Sequence, residues 1–191
     1  MYDSKIDTEF NEETIYDNTS RARKTLPTLS PRFLPKTRAE LRTAVKEWCK
    51  CETTAQKKYH SHISDWNISK VTDMSWIFRG ASSFNSDIST WDVSHVTNMH
   101  MMFYDATSFN CDISKWDVSH VTNMYMMFSG SSLFNSDIST WNVSQVTDMR
   151  GMFWGAISFN RDISKWNVSQ ITNMRKMFER TPCPIPPWYV P

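Results

Sequence analysis

The chain has 191 residues, enough for one domain of ordinary size, with a formal net charge of +1, 40% hydrophobic residues and nine Trp. That balance excludes a uniformly polyanion-binding protein and an acidic tail, and it is rich enough in apolar residues to build a core. No window approaches the ~20 consecutive apolar residues of a membrane span. In chain order, residues 1–36 show no periodicity and carry the proline-rich LPTLSPRFLP, which reads as an extended or disordered arm. Residues 37–59 read as an N-terminal capping helix. Thr37 and Glu40 make a capping box, and Leu41, Ala44, Val45 and Trp48 follow at i, i+3, i+4 and i+7. Residues 60–181 form a repeat domain, and residues 182–191, PCPIPPWYVP, a Pro-rich cap or tail.

Five units of 25 residues fit without a gap, at 63–87, 88–112, 113–137, 138–162 and 163–187. Each opens Ile-Ser-x-Trp-[Asn/Asp]-[Val/Ile]-Ser-x-[Val/Ile]-Thr-[Asn/Asp]-Met, and all but the last close Phe-Asn-x-Asp. In the second unit the fixed apolar positions are Ile88, Trp91, Val93, Val96, Met99, Met102, Phe103, Ala106 and Phe109. They follow neither strict alternation nor a helical stripe. One such coil cannot bury its own apolar edge, but stacked copies can, with identical residues in ladders ~4.8 Å apart if the coils pair as strands. The sequence suggests a short strand over Asp87–Asp92 and a helical or 3-10 turn over Thr97–Tyr104. At the far end, Ile185, Trp188 and Tyr189 are candidates to cover the last coil.

The pattern FNxDISxWDVSxVTNMxxMFxxAxSFN, over about residues 60–180, resembles the roughly 25-residue repeats of bacterial surface lipoproteins and of mycoplasma proteins of unassigned function. This group is close to the BspA-like proteins and distantly related to leucine-rich repeats. The resemblance implies an α/β fold: a short right-handed leucine-rich-repeat-like solenoid with parallel strands. It also implies surface adhesion or protein binding, and no particular activity.

No catalytic constellation, phosphate loop or metal-protease helix is present, and no cofactor is expected. The cysteines at 49, 51, 111 and 183 have neither disulfide nor zinc spacing, and they read as reduced thiols. His95 and His120 share a repeat phase and could share a metal; a solvated ladder is the preferred reading, so no metal site is assigned. Asp87, Asp112, Asp137 and Asp162 would repel one another unless each accepts backbone N–H bonds, and that is the role expected of them. Asn85, Asn110, Asn135 and Asn160 are expected to satisfy peptide groups that irregular coils leave unpaired. The tail's PPWY matches a WW-domain ligand form, although a lid is the simpler role.

The charge is unevenly spread. Residues 21–58 hold eleven Lys/Arg against three Glu. A basic patch at Arg38, Arg42 and Lys46 therefore offers itself to an anionic partner. Across the coils the repeated residues are core and the changing ones are where a partner is chosen. The candidate partner-binding residues are Arg79, His100, Tyr104, Tyr125, Arg150, Trp154 and Arg175, because arginine and large aromatics at non-core phases are the residue types of binding hot spots. The function expected is a non-enzymatic protein–protein interaction or structural module, a subunit of a larger intracellular or viral assembly. It has protein partners and no membrane span, and its oligomeric state is not fixed by sequence. A cell-surface adhesin is the alternative, opposed by a polar N-terminus unlike a secretion signal.

Overall fold

The computed structural model describes residues 32–190. The proposed arm therefore lies, up to residue 31, outside the described residues. Two α-helices come first. Helix α1 is Arg38–Lys50, with Thr37 Oγ1 accepting from the Glu40 N–H. The Glu40 carboxylate reaches back to the Lys36 N–H at 2.8 Å, one residue earlier than a standard capping box would take it. Leu41, Ala44, Val45 and Trp48 are buried, as their spacing demands. The chain then breaks at Cys51, which is extended (φ −161°), and resumes as α2, Glu52–Tyr59. The single helix expected over 37–59 is thus two.

The expected α/β, leucine-rich-repeat-like solenoid with parallel strands does not form. Among the described residues there are the two short α-helices, one 3-10 helix (Ile63–Asp65) and no β-strand. Pairing between coils is limited to isolated parallel bridges at Asp73–Asn98, Asn98–Asn123, Asn123–Asp148 and Asp148–Asn173. Asp87–Asp92, expected as a strand, is instead two successive turns. The Ser89 N–H donates to Asp87 Oδ1 at 2.9 Å, and the Trp91 N–H to the Ile88 carbonyl at 3.1 Å.

The physical reason lies in the turn residues. Each of the first four coils has three sites where Asp or Asn accepts the N–H two residues on, as at Asp112–Ser114, Asp117–Ser119 and Asn123–Tyr125, and coil five has two. Such Asx turns compete with strand geometry. Two phases also have left-handed backbone. Trp76, Met101, Met126, Gly151 and Lys176 have φ between +49° and +62°, while Gly80, Asp105, Gly130, Gly155 and Arg180 have φ between +55° and +72°. Extended strands do not contain such residues. All four glycines of the chain fall at these two phases.

Over Met99–Ala106, overlapping the Thr97–Tyr104 stretch where a helical or 3-10 turn was expected, the N–H groups alternate in direction. Those of Met102, Tyr104 and Ala106 close turns onto Met99, Met101 and Phe103. Those of Met99, Met101, Phe103 and Asp105 donate to the carbonyls of Asn123, Tyr125, Met127 and Ser129 in the next coil, at 2.8–2.9 Å. The same four bonds recur at every junction between coils. Thr97, Thr122, Thr147 and Thr172 add a return bond, each N–H donating to the Thr carbonyl one coil back.

The core fills the interior of this stack. Every fixed apolar position of the second coil is buried. Phe78, Phe103, Phe128, Phe153 and Phe178 stack with centroids 5.1–5.9 Å apart. A second file, Phe84, Phe109, Phe134 and Phe159, runs beside it at 5.7–6.1 Å. The tryptophans do two jobs. Their rings are buried, and their indole N–H groups reach one coil back: Trp91 to Ile63 O, Trp116 to Ile88 O, Trp141 to Ile113 O and Trp166 to Ile138 O, at 2.8–3.2 Å. Trp188 continues the file from the tail, stacking at 6.5 Å on Trp166 and donating to Ile163 O and Ser164 O. Trp66 has no coil before it, and its buried Nε1 has no partner among the described residues. Phe33, Trp48 and Tyr59 pack around it instead, with centroids 5.0–5.8 Å away.

Candidate interaction face

The asparagines and aspartates proved to be fasteners. Asn85, Asn110 and Asn135 each accept the backbone N–H of the Asn one coil on, at 2.8–3.3 Å. Asp87, Asp112, Asp137 and Asp162 each accept the N–H of the following Ser, at 2.9–3.0 Å. Those backbone bonds hold all four carboxyls below the usual Asp range. His95 and His120 face different partners, the Ile68 carbonyl and the Ser119 hydroxyl. Among the described residues no three His, Cys, Asp or Glu converge on a metal position.

The changing phases come together on the outside of the stack. The first forms one continuous file. The Arg38 guanidinium lies 5.4 Å from the Trp76 ring centre. Trp76 meets His100 edge-on at 5.4 Å, and His100 meets Tyr125 at 4.8 Å. The Arg150 guanidinium then covers Tyr125 at 4.3 Å. Cations close both ends, where their charge meets the negative face of each ring. Burial between the two rings is the main reason His100 titrates below an ordinary histidine; Asp148 and Asp73 oppose that shift and Arg150 adds to it. The balance favours the neutral imidazole.

The second file is interrupted. Arg79 covers Tyr104 at 5.5 Å, and Arg180 covers Trp154 at 5.4 Å. Between them stands Ser129, fully buried. Of the sequence candidates, His100, Tyr125 and Arg150 share the first file, Arg79, Tyr104 and Trp154 belong to the second, and Arg175 is exposed at the last coil, outside both. Trp76 and Arg38 were missing from that set for the first file. Trp76 belongs to the left-handed phase, and Arg38 comes from a helix whose register against the coils is not written in the repeat. Arg180 was missed because the fifth coil degenerates there.

The basic patch divides in the same way. Arg38 Nη1 pairs with Asp73 Oδ2 at 3.1 Å and donates to Ser75 Oγ, so it is fixed to the first coil. Arg42, one turn on, is half-buried, and its Nε is buried without a partner among the described residues. Lys46 is exposed. The three form a stripe on α1, but only Lys46 is an uncommitted surface charge.

Two segments of the chain, 53–132 and 111–183, match the family model described as "Mycoplasma protein of unknown function, DUF285". The two matches overlap and together span more than half of the chain, as tandem repeats of one unit would. That description mentions neither leucine-rich repeats nor surface lipoproteins. No curated protein and no solved structure matches the chain.

Proposed function

This chain belongs to the mycoplasma family of unknown function DUF285, and from that starting point we propose that it is a non-enzymatic protein-interaction module, a subunit of a larger assembly, that binds a protein partner through its arginine–aromatic face. The observation that carries this reading is the file Arg38–Trp76–His100–Tyr125–Arg150. Four of its five members are half-buried, standing proud of a core that does not need them. Half-exposed aromatics sandwiched by arginines are rigid, lose little side-chain entropy on contact, and combine an apolar surface with hydrogen-bond donors. The repeat underneath supplies a fixed spacing, so the rings are pre-arranged before any partner arrives.

The setting we propose is intracellular. Support comes from the four cysteine thiols, none of which is joined to another. Among the described residues no helix is long and apolar enough to cross a membrane.

The test uses tagged chain expressed in its native source, as wild type and as Trp76→Ser/Tyr125→Ser. The wild type should co-purify with a defined set of proteins, and the variant should lose its direct partner, with affinity down by more than ~2 kcal/mol. Its far-ultraviolet spectrum and melting behaviour should stay close to wild type. An unchanged partner set with the variant overturns the assignment of the face.

A further inference from the structure

We propose that the C-terminal end of the stack is a second docking site, which holds an acid-flanked apolar segment of a partner protein by its backbone carbonyls. The argument begins with the one-way bonds between coils. At the junction of coils four and five, the N–H groups of Met149, Gly151, Phe153 and Gly155 donate to the carbonyls of Asn173, Arg175, Met177 and Glu179. The equivalent groups of coil five, on Met174, Lys176, Phe178 and Arg180, have no acceptor among the described residues. Four donors in a row, at alternate residues, face out of the end of the stack.

The tail does not cover them. Its rings pack on the Phe178 side chain, while Cys183 Sγ, with Thr181 Oγ1 before it, donates to coil four at Arg161 and Phe159, and the Trp188 indole to Ile163 and Ser164 at the start of coil five. Between tail and donor row is a cavity of about 420 Å³ lined by Arg175, Lys176, Phe178, Glu179, Ile185 and Tyr189. Ile185, expected to act as a lid, is instead 59% exposed on its wall. A backbone edge unpaired among the described residues, beside an apolar groove, is a place where main-chain bonds can capture a peptide segment.

The molecule's own junctions show what fits such an edge. Each is occupied by a run of successive turns, left-handed at two phases, that presents carbonyls at alternate residues and turns Met and Phe side chains inward. The occupant therefore supplies the same carbonyl spacing and an apolar side chain for the groove beside Phe178 and Tyr189. Charge chooses its flanks. Arg175, Lys176 and Arg180 belong to the same run as one acid, Glu179, which pairs with Lys176 at 3.6 Å; the remaining positive charge favours acidic residues. A second copy of this chain is the poorer occupant. Its matching acceptor edge, on coil one, lies against α1: Arg38 bonds both Asp73 and Ser75, and Ser75 and Ile77 are 3% and 2% exposed.

The test reads the amides directly and does not depend on the arginine–aromatic face. Hydrogen exchange is followed by NMR on the full chain, alone and with a synthetic peptide in which residues 96–106, VTNMHMMFYDA, are flanked by two Glu on each side. Alone, the amides of Met174, Lys176, Phe178 and Arg180 should exchange far faster than those of Met149, Gly151, Phe153 and Gly155. Saturating peptide should slow the four by about tenfold or more, as closing a hydrogen-bonded edge does; a scrambled peptide should not. Arg175→Glu/Ile185→Asp, two exposed positions, should weaken the peptide by about tenfold through lost attraction and a charged groove. No slowing by the peptide overturns the proposal. So does protection already present in the chain alone: if independent of concentration, the chain closes its own edge, and if it rises with concentration, a second copy occupies the site.

Discussion

The indole N–H of Trp116 donates to the carbonyl oxygen of Ile88, 3.2 Å away and one coil back. The bond is buried, and its equivalent recurs at every junction. It allows two separable losses to be predicted. Trp116→Phe keeps most of the ring volume but removes one of the two bonds to a buried carbonyl, which still accepts the Trp91 N–H, and should cost about 0.5–1.5 kcal/mol. Trp116→Ala also opens a cavity and should cost about 3–5 kcal/mol. Urea denaturation of both variants checks this. Equal losses would mean that the hydrogen bond contributes nothing.

Gly155 has φ +69°, and a Cβ placed there would meet only the Gly130 backbone at 3.9–4.0 Å. Space is therefore not the constraint; conformation is. Gly155→Val should destabilise by about 2 kcal/mol, because a β-branched residue resists the left-handed region. Gly155→Asn, which tolerates that region, should cost less than half as much. Thermal melts of the pair would separate backbone strain from steric clash.

The Asp fasteners predict acid sensitivity. Bonds from the following Ser lower the carboxyls of Asp87, Asp112 and Asp137 below the ordinary 3.8. A lowered folded-state value means that the stabilisation is complete above the unfolded-state value and is lost as pH falls through the folded one. The melting temperature should therefore be level from neutral pH to about 5 and fall below about 4. Replacing Asp112 and Asp137 with Asn keeps the turn acceptor without the titration, and should flatten part of that acid limb.

Cys51 should be the reactive thiol. It precedes α2, and hydrogen bonds from the Thr53 and Thr54 hydroxyls, with their backbone N–H groups, bring it down to about 7. Burial pushes Cys49 and Cys111 up and takes Cys183 to about 11. Brief iodoacetamide treatment at pH 7 should label Cys51 first, and its rate should reach half-maximum near pH 7. Thr53→Val/Thr54→Val should move that midpoint upward. Peptide mass spectrometry after labelling decides the order.

The interior of this protein was legible in its sequence, and its backbone was not. The period of 25 put Ile88, Trp91, Val93 and their companions inside, because side-chain chemistry alone decides which positions leave water. The same chemistry located the capping Thr37 and the Asp acceptors. The sign of φ leaves a fainter mark. Gly80, Gly130 and Gly155 shared one phase with Asp105, and that coincidence could have been read as a left-handed position incompatible with a strand. The break at Cys51 had no signal: Cys is an indifferent helix residue, and only the packing of α2 requires the turn there. The candidate face was legible as a set of residues and not as files, since Trp76 and Met101 occupy the same phase with no shared chemistry.

The four-bond junctions have one more consequence. At each junction four backbone bonds run from N–H groups of the earlier coil to carbonyls of the later, and one or two backbone bonds return. Each peptide group carries a dipole of ≈ 3.5 D, and groups aligned head to tail add. The four aligned files therefore place their positive ends at coil five and their negative ends at coil one. Arg38 is anchored at the negative ends, with Arg42 and Lys46 on the same helix. The basic stripe is thus a counter-charge to the protein's own backbone, and lengthening the stack by whole coils would strengthen the field at both ends without altering a single side chain on its face.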